Sequence, residues 1–268
     1  MDFFTKKDWL GREASSYAFK LDHILFIVIG LAIGIFLAFF LRKKSKKVIY
    51  ITLISLWAFG TTIVTFYYVS LYIICATDPI NYPFDIEKML PFHSCLMFMY
   101  IFPVALFVKN KYIKLAATNF LVVVNMIMGF ITLFVGCPPV GYSVLSLTGF
   151  QSMIIHIIIV IVPLIMVATN YYDLQEKDLL FGLATFGTLG LSMWIFDAIT
   201  GCDYFYFYDG HTFPVFGFIS ENVPHLVWTL IVTSCYVITA CFIHFSIYGI
   251  KMLVQSKQQA KNDDAKNI

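Results

Sequence analysis

Long apolar blocks alternate with short polar stretches along the chain. An α-helix needs roughly 20 residues to cross a ~30 Å hydrocarbon layer, and seven blocks approach or exceed that length. They span residues 24–41, 48–74, 90–108, 115–135, 150–169, 179–199 and 223–247. The pattern predicts an all-α polytopic membrane bundle of about seven transmembrane helices. We expect an interfacial N-terminal segment (1–22), the bundle (23–250) and a disordered cytoplasmic tail (251–268).

Charge is sparse, and its placement predicts an orientation. Only 13% of the residues are charged and 60% are hydrophobic, which excludes an ordinary soluble domain and gives no indication of nucleic-acid binding. Most lysines and arginines follow the first, third, fifth and seventh spans, and cytoplasmic loops carry such an excess. We therefore expect the N-terminus outside, the C-terminus in the cytoplasm, and membrane lipids as partners. The oligomeric state stays open.

The glycines and cysteines bear on helix packing and on the kinds of site that the chain can form. Gly30 and Gly34 form a GxxxG pair, for which packing inside one bundle is more plausible than dimerisation. The six cysteines include no CxxC pair, so neither a zinc ribbon nor a thioredoxin-type site is indicated, and no metal or cofactor is expected. Cys137 and Cys202 fall in predicted outer loops, where they could form a disulfide, but the sequence does not decide it.

Polar and reactive side chains gather near the predicted outer ends of four spans. The stretch MLPFHSCLMFMY, residues 89–100, places His93 at the mouth of the third span and Cys95 about one turn inside. His156 lies a few residues deep in the fifth span, amid isoleucines. Asp197 ends the sixth span and His225 begins the seventh. Ionisable groups in such places are expensive, so a shared site is the main functional hypothesis.

Helix geometry limits how these residues cooperate. Residues two apart on an α-helix point roughly 200° away from each other, so His93 and Cys95 cannot both face one ligand if the helix already includes them. A partnership across helices is more plausible. A helix N-terminus favours the thiolate of Cys95, and His156 from the fifth span could take its proton. His93 then serves as an orienting or packing residue.

Three short motifs resemble the YwaF-like family of bacterial integral membrane proteins. Leu90, Pro91, His93 and Cys95 match its LP-x-H-x-C entry to one helix, and His156 matches the histidine two spans later. A third motif is matched loosely by GCDYFYF, with Asp203 where asparagine is usual, which leaves the role of that side chain open. The resemblance implies a multi-pass protein of the bacterial plasma membrane. It also implies a distant similarity to a eukaryotic ether-phospholipid acyltransferase, with Cys95 as nucleophile and His156 as base.

Three functions remain open from the sequence. The first is a lipid acyltransferase or hydrolase in which Cys95 accepts an acyl group from a lipid substrate. The second is a non-enzymatic transporter or small-molecule-binding protein, for which Asn125 in the fourth span would lie on a polar path. In the third, the cluster of Cys95, His156, Asp197 and His225 is only a hydrogen-bonded packing knot. The substrate and reaction are not specified by the sequence.

Overall fold

The computed structural model describes residues 20–80, 82–135, 144–207 and 219–266, and these ranges contain helices and turns but no β-strand. Most of the predicted N-terminal segment (1–22) lies outside these ranges, and so does Cys137. The helices are α1 (Leu21–Leu41), α2 (Lys46–Thr77), α3 (Ile86–Met89), α4 (Met97–Phe107), α5 (Lys111–Asn119), a π-helical segment (Phe120–Asn125), α6 (Met126–Val135), α7 (Leu147–Ala168), α8 (Asp178–Thr200) and α9 (His225–Lys266).

Six helical stretches in these ranges are long and apolar enough to cross a membrane, and α4 adds a shorter apolar helix. The predicted all-α polytopic bundle is therefore confirmed. Which end faces the cytoplasm stays a prediction. Helix α9 continues to Lys266, through most of the segment predicted to be a disordered tail.

The third predicted span differs from its expected form. Helix α4 has only 11 residues and begins at Met97, so residues 91–96 precede it as non-helical chain. Pro91 separates this segment from α3, because a proline lacks a backbone N–H and disfavours helical geometry in the residue before it, here Leu90. The turn is closed by the Leu96 N–H donating to the His93 carbonyl at 2.8 Å. The condition under which His93 and Cys95 would point apart is therefore not met, since neither residue lies in a helix.

Helix α7 is the centre of the bundle. Fifteen of its 22 residues are buried, and it packs against α1, α2 and α6. Gly30 and Gly34 of α1 lie directly against Ile157 and Ile161 of α7, where an added Cβ would overlap the isoleucine side chains. The GxxxG pair thus packs inside the bundle, as predicted. This arrangement places His156, in the middle of α7, among protein side chains rather than lipid.

The fourth span bends through a π-helical turn. Helix α5 passes through Phe120–Asn125 into α6, and all six residues of the π-helical segment are buried. Single π-turns inside α-helices are rare and frequently occur at functional sites. The segment ends at Asn125, so the wide turn decides which neighbour that side chain meets.

The peripheral helices expose apolar side chains. Phe36 of α1 is 66% exposed and Phe242 of α9 is 72% exposed. In water, patches of this kind would be a liability, whereas in a bilayer they face lipid tails. Contact with membrane lipids follows from the fold.

Candidate functional site

The turn at His93 packs against the strip of chain that follows α8, residues 202–207. The Tyr204 carbonyl accepts a hydrogen bond from the Ser94 N–H at 3.4 Å, and the His93 imidazole also bonds to the Tyr204 backbone. The His93 ring packs edge-on against Tyr204, with centroids 5.2 Å apart, and stacks on Tyr206 at 6.3 Å. The first and third sequence motifs are therefore in contact.

The strip itself, residues 202–207, is fixed from three sides. Gly201 ends α8 with φ of +75°, which turns the chain back into the bundle. An Asp197 carboxylate oxygen accepts from the Tyr204 N–H at 3.1 Å, and the Tyr204 hydroxyl donates to the Ile86 carbonyl at 2.6 Å. The Trp228 indole donates to the Tyr206 carbonyl at 3.1 Å. Asp197 therefore anchors this strip.

Asn125 supports the same turn from the opposite side. Its side-chain N–H₂ lies 3.3 Å from the Ser94 carbonyl and 3.2 Å from the Cys95 carbonyl. The side chain is fully buried, and its Oδ1 has no hydrogen-bond partner within the described residues. Asn125 thus holds the turn with one end of its amide and presents an unused acceptor with the other.

His156 has a defined tautomer. Its Nδ1 lies 2.6 Å from the Ser152 carbonyl and 3.2 Å from the Ser152 hydroxyl. A carbonyl oxygen can only accept, so Nδ1 carries the proton and Nε2 of the neutral ring presents a lone pair. Nε2 is buried and has no partner in the described part of the chain. His156 is therefore arranged as a hydrogen-bond acceptor or base.

His93 presents a second lone pair close by. Its Nδ1 is buried and, within the described ranges, accepts no hydrogen bond. The imidazoles of His93 and His156 are near enough to interact electrostatically. Together with Oδ1 of Asn125, two imidazole nitrogens thus offer acceptors without donors, which natural proteins rarely leave in their interior.

Cys95 is half-buried at the edge of this group. It lies near the phenols of Tyr68 and Tyr236, and the Tyr236 hydroxyl is hydrogen-bonded to the Ser94 side chain. Because Nε2 of His156 has no partner among the described residues, a Cys95–His156 hydrogen bond is not formed here. The turn that contains Cys95 also contains His93, whose imidazole is near that of His156.

Other expected members are distributed differently. His225 is exposed at the start of α9, so its similar depth along the bundle does not bring it into the buried group. Asp203 is half-buried and interacts electrostatically with Tyr236. Ser152, Tyr68 and Tyr236 were missed by the sequence analysis. Only Ser152 carried a signal, because a side chain four residues before a helical histidine lies next to it.

The structure provides little for a metal ion. In the ranges it describes, no group of three or more His, Cys, Asp or Glu side chains could hold one. The groups present at the site are imidazoles, an amide, phenols and a thiol.

No curated protein sequence and no solved structure matches the chain. The TMEM164 family, in contrast, matches residues 18–248, which extend from just before α1 into the second half of α9. The match includes the turn at His93, Asn125, His156 and the strip after α8. The chain therefore belongs to the TMEM164 family.

Proposed function

We propose that this protein is a membrane enzyme that transfers or hydrolyses the acyl group of a lipid, with Cys95 as nucleophile and His156 as general base. Within its family we place it among YwaF-like proteins of the bacterial plasma membrane, on the residues of its three motifs. The observation that carries the proposal is the buried Nε2 of His156, which is unprotonated and lacks a partner in the described residues. A base in that condition is prepared to accept a proton.

The reaction would run in two halves. Nε2 of His156 takes the thiol proton as the Cys95 sulfur attacks the ester carbonyl carbon, and the tetrahedral intermediate then expels the lipid alkoxide. That alkoxide leaves with the proton from His156, and a thioester remains on Cys95. An acceptor hydroxyl, or water in the case of hydrolysis, next loses its proton to His156 and attacks the thioester carbonyl carbon. The carbon–sulfur bond then breaks, the acylated acceptor or free acid leaves, and His156 returns the proton to the Cys95 sulfur.

Several contacts would support these steps. The carbonyls of Ser94 and Cys95 are held by Asn125, so the backbone beneath the nucleophile is fixed. Helix α4 begins two residues after Cys95, and its N-terminus favours a thiolate. The Cys95 thiol must turn toward Nε2 or pass its proton through one water, since catalytic hydrogen bonds often tighten only when substrate is bound.

The test is covalent labelling of the purified protein with an activity probe. The probe carries an activated acyl group that a cysteine thiol accepts to form a thioester. Cys95→Ala should abolish labelling, and His156→Gln should slow it by at least ~100-fold, the scale of a lost general base. Cys75→Ala and His225→Gln are matched controls and should label normally. Labelling that survives Cys95→Ala in a folded protein would overturn the proposal.

A second candidate is favoured by the missing Cys95–His156 hydrogen bond. In that case the lone pairs of His93, Asn125 and His156 bind a ligand that donates hydrogen bonds, and no covalent step takes place. This alternative predicts that a ligand is retained by Cys95→Ala but lost by His156→Leu. Equilibrium binding and probe labelling on the same two variants therefore separate the two functions.

A further inference from the structure

We infer that a second site, distant in sequence from the Cys95 turn, binds the headgroup of an anionic phospholipid. The site is a cavity of about 410 Å³ between the C-terminal ends of α1 and α7, the connection from α7 to α8, and the second half of α9. Its volume is within the ~300–1,000 Å³ range of small-ligand pockets. The proposal is independent of the function proposed for Cys95 and His156.

The lining of this cavity divides into an apolar and a polar part. Side chains of α1, α7 and α9 supply the apolar part, including Ile35, Leu164 and Ile250. Arg42, Asp173 and Lys251 supply charge at the other part. A cavity that joins hydrocarbon to charge in this way matches a molecule that is itself amphipathic.

The charges in the cavity are not balanced. Lys251 is neutralised by an ion pair with Asp173, and its ammonium also donates to the Leu174 carbonyl at 2.7 Å. Arg42 has no acidic partner within the described residues, and its guanidinium lies over the Phe39 ring, 5.9 Å from the centroid. The cavity therefore retains one net positive charge, on a side chain suited to bidentate contact with phosphate.

The surrounding sequence favours a membrane lipid as the source of that phosphate. Arg42 ends α1 and is followed by Lys43, Lys44, Lys46 and Lys47. Basic side chains just beyond a transmembrane helix are attracted to anionic lipids, at roughly 1 kcal/mol for each residue near the surface. Arg42 differs from these lysines in that it also borders a cavity, so its contribution should depend on a bound lipid and not only on surface charge.

Native mass spectrometry of the detergent-solubilised full chain, titrated with phosphatidylglycerol and with phosphatidylcholine, tests the site. We expect phosphatidylglycerol to bind several-fold tighter, and Arg42→Gln to weaken it by about fivefold, the equivalent of one such interaction. Lys43→Gln removes the same charge one residue away, outside the cavity lining, and should have little effect in detergent, which provides no anionic membrane surface. Ala168→Phe fills the apolar part and should weaken both lipids.

Two results would overturn the inference. One is equal binding of phosphatidylglycerol by the wild type and Arg42→Gln, with both proteins monodisperse and of equal thermal stability. The other is competition by millimolar glycerol phosphate as effective as that of the lipid, because the occupant would then be a soluble phosphate compound. Probe labelling of Cys95 in Arg42→Gln should remain normal, which separates failure of this site from failure of the proposed enzyme.

Discussion

Two buried polar groups in this bundle differ in how their hydrogen bonds are used. Around His156, the Nε2 atom, Nδ1 of His93 and Oδ1 of Asn125 have no donors within the described residues. Around Asp178, the carboxylate accepts from the Gln175 N–H at 2.8 Å and from the Tyr172 hydroxyl at 2.6 Å. The first group leaves acceptor atoms without donors, whereas in the second one carboxylate oxygen, Oδ2 of Asp178, receives two donors.

The Asp178 group also extends to a neighbouring helix. The Tyr172 phenol lies 2.8 Å from Oδ1 of Asn119, whose side-chain N–H₂ donates to the Leu115 carbonyl. Burial, and after it the hydrogen bond to Asp178, raises the pKa of Tyr172, so the phenol remains a donor at any physiological pH. If the proposed function holds, the Asp178 group stabilises the fold, whereas the His156 group binds a substrate or ligand.

The largest expected effect is on stability at Asp178. Asp178→Ala leaves the Tyr172 hydroxyl and the Gln175 N–H without their acceptor in a buried place, so the free energy of unfolding should fall by about 3 kcal/mol. Asp178→Asn keeps one acceptor oxygen and should lose less. Thermal and denaturant unfolding in detergent micelles measures both. Equal stability of Asp178→Ala and the wild type would remove the distinction between the two groups.

Removal of the central side chain of the His156 group should leave the free energy of unfolding almost unchanged. His156→Leu removes the unpartnered Nε2 together with the Nδ1–H bond to Ser152, and it puts an apolar side chain of similar size in the same position, so we expect a change below about 1 kcal/mol in either direction. Function should nevertheless be lost, by probe labelling or by ligand binding. A loss of stability as large as that of Asp178→Ala would instead mean that His156 is part of a packing knot.

The sequence predicted the helical bundle but only some of the residues of the two buried polar groups. Long apolar blocks and the pairing of Gly30 with Gly34 are local patterns, and they predicted the helices and their close packing, except that the third span begins only at Met97. Asn125 was visible as a polar residue, but its partner lies 31 residues away across a π-helical turn, so no spacing rule predicted the contact. His225 illustrates the converse, because depth along a helix does not determine which face the residue occupies.

The smallest expected effect on stability is at the ion pair between Lys251 and Asp173, beside the Arg42 cavity. Asp173 is 64% exposed, so its pair with Lys251 should contribute less than about 1 kcal/mol to stability. Asp173→Asn should therefore unfold almost like the wild type, while the freed Lys251 adds a second cation to the cavity and strengthens phosphatidylglycerol binding by about fivefold. Native mass spectrometry with Asp173→Asn and with Lys43→Gln makes the comparison. Unchanged lipid binding in Asp173→Asn would mean that Lys251 remains committed to the Leu174 carbonyl and that Arg42 acts alone.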